Sequence, residues 1–153
     1  MSTQGVTLPN EGEVLAEVER EIERMNRKIK RSLQYAGEVG VNIARDPLHA
    51  GTFTDRTGNL RSSIGSVVTN NAERGNKSRA YSDFPVVHNG ADGAKEGRKY
   101  AKEVISEVHQ PHALAVVAGK EYASYVAAKG YDVLDRAEIE SRRTFEQLMK
   151  DNL

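Results

Sequence analysis

The chain reads as an α+β domain: a small, mostly antiparallel sheet packed by helices, with a long N-terminal helix and a C-terminal helix. Three observations predict it. Apolar residues recur at Leu15, Val18, Ile22, Met25, Ile29, Leu33 and Ala36, the spacing of one helix face. Two short β-rich runs, IGSVVT from Ile64 and ALAVVA from Ala113, are followed by the turn formers Asn70 and Gly119. A last amphipathic stretch sets Ala137, Ser141, Phe145, Leu148 and Met149 on one side. A few strands among helices suit a sheet with helices packed on it.

Residues 1–9 read as a short, flexible polar arm. Asn10 is a good N-cap residue, and Glu13 stands at the capping-box position. The helix predicted over 10–46 would be about 50 Å long. Its stripe is narrow, close to a coiled-coil seam. Gly37 and Gly40 weaken its last third and leave room for a kink, and Asp46-Pro47 ends it. Its charges are segregated. Glu11, Glu13, Glu17, Glu19, Glu21 and Glu23 fill the first half, with Arg20 the exception, and Arg24, Arg27, Lys28, Lys30 and Arg31 follow. The plain reading is a solvated face with ion pairs such as Glu21–Arg24 and Glu23–Arg27. The functional reading is a basic patch facing DNA or an acidic ring surface.

A loop over 47–56 leads to Arg56-Thr57-Gly58-Asn59-Leu60-Arg61, where Thr57 can cap a short helix carrying Leu60 and Ile64. In the first strand Val67 and Thr69 share one face, and Ile64, Ser66 and Val68 the other. Residues 70–92 are rich in turn formers and read as a hairpin arm or an irregular insertion. A helix over 94–108 presents Tyr100, Ala101, Val104, Ile105 and Val108, and Pro111 stops it. After the second strand, 121–129 reads as a short helix with Gly130 as its C-cap, and 131–134 as a short strand. Asp135 is the expected cap of the last helix, with Glu138 completing a capping box and Leu134 and Ile139 a hydrophobic staple.

At 153 residues the chain suits one domain, 10–153 beyond the arm. Only 38% of residues are hydrophobic and Trp is absent, a lean core for that length. Lys+Arg and Asp+Glu both number 22, so no global charge favours nucleic acid. Absence of Cys excludes disulfides and thiolate chemistry. The start, Met1 to Val6, has neither a basic segment nor an apolar run, so neither a signal peptide nor a membrane span is expected.

No grouping points to catalysis or a cofactor. His109 and His112 stand three apart across Pro111, whereas a zinc site wants four ligands. Ser62, Ser63 and Ser66 lack nucleophile-elbow glycines. Gly90 to Gly97 looks faintly like a phosphate loop but lacks the Gly-Lys-Ser/Thr ending, and a turn before a helix explains it. Tyr122 and Tyr125 could share a helix face, either in the core or at a subunit contact.

Thr57-Gly58-Asn59-Leu60-Arg61, followed some sixty residues later by Tyr122, Ala123, Tyr125, Val126 and Gly130, resembles the gene-product-ten-like neck proteins of long-tailed phages. These are tail-completion, or head–tail joining, proteins. Gly130-Tyr131-Asp132-Val133-Leu134 is similar to the ending of a subset of them. Ala127 departs from the Glu that often follows the Tyr-Val pair, and 70–110 fits least. The resemblance implies a virion protein, assembled in the host cytoplasm, that forms a ring at the head–tail interface. A hexamer is the first choice and a dodecamer the second, with neck, connector and tail proteins as neighbours. It leaves room for non-specific contact with DNA in the lumen and calls for no membrane and no cofactor. Thr57, Asn59, Leu60, Arg61, Tyr122, Tyr125 and Tyr131 then become candidate contacts with a subunit or neighbouring ring. A tail terminator or head-closure stopper is the neighbouring alternative. A cytoplasmic coiled-coil adaptor built on 10–45 is the alternative of another class.

Overall fold

The structure, a computed structural model, describes residues 10–46, 57–70, 78–119, 124 and 134–151. Along the chain come α1 (Glu11–Arg45), α2 (Asn59–Ser62), β1 (Gly65–Asn70), β2 (Ser78–Tyr81), α3 (Ala91–Ser106), β3 (His112–Val117) and α4 (Asp135–Asp151). The strands form an antiparallel sheet in the order β2-β1-β3. The fold is α+β, as the apolar spacing predicts.

Alternation along β1 places the layers. Successive side chains of a strand point to opposite faces. Val67 lies opposite Ala115, and Gly65 opposite Val117. Val67, Ala115 and Val117 join Ala94, Ala101 and Ile105 of α3, with Phe84, in one cluster. Ser66 and Leu114 belong to the other face, where they lie against Gly37 of α1. The sheet is thus sandwiched between α3 and α1. That is why β1 is apolar on both faces, with Val67 and Val68 both sealed from solvent.

α1 reaches the sheet through small residues. A Cβ on Gly37 would come 2.8 Å from Ser66 Oγ and 2.9 Å from Leu114 Cδ1. One on Gly40 would run into Ser141 Oγ of α4, with Val116 Cγ2 3.2 Å away. The glycines therefore do not break the helix, which runs unbroken to Arg45. α4 docks on α1 at the same level, where Ser141 Oγ donates to Ala36 O at 2.9 Å. Val41, Ala44, Ile64, Ala118 and Ala137 fill the junction between them.

Several expectations need correction. Asn10 occupies the N-cap of α1 but makes no side-chain cap bond. In α4 the first helical bond runs from Glu138 N to Leu134 O, so Leu134 holds the cap position and Asp135 lies within the helix. Of the expected staple pair, Ile139 is exposed, whereas Leu134 packs against the cluster of Val41, Ala44 and Ala137. Of the two readings of 70–92, the hairpin is the one that fits: β2 pairs antiparallel with β1. What the sequence did not show is that Phe84 is among the largest fully buried side chains. The expected helix over 121–129 and strand over 131–134 fall, apart from Ser124 and Leu134, outside the described residues.

Gly40→Val should lower stability by about 1–3 kcal/mol, the usual cost of overpacking. A Cβ on Gly12, in the same helix, would meet nothing within 4 Å. Gly12→Ala should leave stability unchanged or raise it by up to about 1 kcal/mol. Urea unfolding of the two variants checks both.

Candidate assembly surface

The Thr57–Arg61 segment is built into the fold. Gly58 has φ 77°, a left-handed conformation that favours glycine, and it starts α2. Thr57 Oγ1 accepts the Asn59 N–H at 3.3 Å, so Thr57 stands one residue before the cap it was expected to be. Asn59 does something the sequence did not announce. The N-cap of α3 is Gly90, which has no side chain to offer. Asn59 Oδ1 accepts the Gly93 N–H at 3.1 Å and supplies the missing cap from another element. Ser62 Oγ accepts the Val87 N–H at 2.9 Å, and Ser63 Oγ accepts that of Gly119 at 2.9 Å. These serines tie loops together.

Leu60 corrects an expectation: it is 4% exposed and faces the core, so its side chain is not available to a neighbour. Arg61 is brought into the field of Arg45, at the end of α1. Arg45 Nη2 donates to Pro85 O at 2.9 Å. The Arg45 guanidinium pKa is lowered from its ordinary value, by burial first and by the Arg61 charge second. Tyr122, Tyr125 and Tyr131 lie outside the described residues.

The second feature is the division of α1 into two halves. Every residue from Asn10 to Met25 is exposed. Asn26 is the first half-buried one, and its Oδ1 lies 3.2 Å from His112 Nε2. From Ser32 onward α1 is rooted in the domain. The apolar seam nonetheless continues through the free half, with Leu15 58% and Ile22 56% exposed. Around it the predicted ion pairs form, Arg24–Glu21 at 3.0 Å and Arg27–Glu23 at 4.0 Å. Both are solvated, so each contributes little to stability. Arg24, Arg27 and Arg31 are exposed, whereas Lys28 and Lys30 are half-buried.

A cleft of about 510 Å³ lies between β3, α1 and α4, lined among others by Leu33, Leu114, Val116, Leu134 and Phe145. Of its polar groups, Ser141 donates to Ala36 O, Glu138 and Arg142 pair at 2.9 Å, and the buried His112 Nδ1 has no hydrogen-bond partner among the described residues. Among the described residues, no group of three or more His, Asp or Glu could hold a metal ion. No described helix is long and apolar enough to cross a membrane. No family model, curated protein or solved structure matches the chain.

Asn59→Ala should cost about 1 kcal/mol, the usual value of a lost cap. Asn59→Asp keeps the acceptor and should cost less. Thermal unfolding of the pair separates the missing cap from a general effect of substitution at this position.

Proposed function

We propose that the chain is a structural protein of the phage virion, a ring subunit at the head–tail junction that completes the tail and joins it to the head. Support comes from the order of its short motifs. One observation carries the reading further: α1 holds an amphipathic half clear of the domain. An isolated helix of such length is marginal in water. Its apolar seam is useful where a neighbouring molecule covers it.

In this role the sheet and its helices form the ring wall, and the free half of α1 reaches a neighbour. Contacts that run head to tail and close on themselves give rings. Sixfold symmetry matching the tail comes first, and twelvefold second. The neighbours are other neck, connector and tail proteins, and any contact with DNA in the lumen is non-specific, through phosphates. The subunit works in the virion and assembles in the host cytoplasm. A terminator or stopper would differ in which neighbour it binds.

The test is negative-stain imaging of purified protein mixed with tails from the same phage. Deleting residues 1–24 removes the free half yet keeps Asn26 and its contact with His112. The full chain should add density at the head-proximal tail tip, and the truncated one should stay folded and add none. Unimpaired binding by the truncated chain would refute the reaching role. A small oligomer of the full chain that ignores tails would favour the coiled-coil adaptor.

A further inference from the structure

We propose that the acidic N-terminal half of α1 docks, apolar seam inward, on the basic groove at the root of α1 in a second copy of this chain. It deepens the ring reading and rests on it only for closure of the contacts into a ring.

The free half carries Glu11, Glu13, Glu17, Glu19, Glu21 and Glu23 against Arg20 and Arg24. An apolar seam flanked by acid fits a partner surface that is apolar and basic. It repels phosphates and anionic lipid. Such a complementary surface begins on the next turns of the same helix. Arg24, Arg27, Lys28 and Arg31 line a groove of about 740 Å³ together with Met25, Ser32 and one acid, Glu21, leaving it basic on balance. Arg24, Arg27, Lys28 and Arg31 stand at i, i+3, i+4 and i+7, so they share one side of the helix. Leu33 and Ala36, which continue the seam, are buried against the domain, and so is Ser32 at the end of the groove. Along the groove Arg24, Arg27 and Arg31 stay exposed, at a level where the seam side is already going into the domain.

The partner must be another molecule. Acidic segment and basic groove lie on one continuous helix, which cannot fold back on itself. A two-fold pairing of seams is disfavoured on two counts. Where both seams are free, acid meets acid. Sliding one seam toward the basic turns of the other is opposed, because beyond Asn26 the seam is half-buried at Ile29 and buried at Leu33 and Ala36. What remains is a contact between unlike surfaces, donor half on acceptor groove, which repeats from copy to copy.

Sedimentation of the full chain over a range of concentrations and salt tests this. The wild type should assemble at low salt and dissociate toward ~1 M, where the screening length falls to about 3 Å. Ile22→Asp, at an exposed seam position, should sediment as a monomer. So should Glu13→Lys/Glu17→Lys/Glu21→Lys and Arg24→Glu/Arg27→Glu/Arg31→Glu, each with the wild-type circular dichroism. Mixed in equal amounts, the two triple variants should regain assembly, because every contact again joins opposite charges. Recovery on mixing also shows that both are folded. Triple variants that assemble alone, or a mixture that stays monomeric, would overturn the proposal. A wild type that is monomeric under all conditions but still adds to tail tips would overturn the contact and leave the ring reading standing. Assembly of the wild type without tail binding would support the contact and count against the ring reading.

Discussion

The close approach of α1 to the sheet is the constraint on which the rest of the structure depends. Ala36, Gly37 and Gly40 present almost no side-chain volume, so the helix backbone lies directly over Ser66, Leu114 and Val116. That contact closes one face of a sheet whose central strand is buried on both sides. It also places Ala36 O where Ser141 can donate to it, which seats α4. Because α1 is one continuous helix, its rooted half also fixes the direction in which the free half projects.

A second lock works from the opposite side of the sheet. α2 is too short to be stable alone, and its value lies in what it joins. Gly58 turns the chain, Asn59 caps α3, and Ser62 and Ser63 hold the backbone at Val87 and Gly119. A side chain that caps a helix from a distant element couples two pieces that propensity alone would leave independent. The segment that carries the resemblance thus has a structural job within the domain. Thr57 is its exposed member, while Asn59 and Arg61 are half-buried.

The seam of α1, the α3 face and the two longer strands were legible because periodicity reports burial directly. The ion pairs Glu21–Arg24 and Glu23–Arg27 were legible because they are local along one helix. What escaped was non-local. Phe84 sits among turn formers, and only the tertiary fold turns it into core. The cap on α3 comes from Asn59, and the only local hint was a helix start, Gly90, with no capping side chain of its own. Gly37 and Gly40 read as weaknesses because sequence shows the propensity cost of glycine but not the sheet that it lets in. The split of α1 into a rooted and a free half was likewise hidden, since the seam is continuous through both.

That split is the central claim, and native-state hydrogen exchange along α1 tests it most directly. In dilute protein, amides of Ser32 to Arg45 should be protected to the level of global unfolding, while those between Val14 and Met25 exchange early. Raising the concentration should slow the second group and leave the first unchanged. Equal protection of both groups in dilute protein, independent of concentration, would contradict the account.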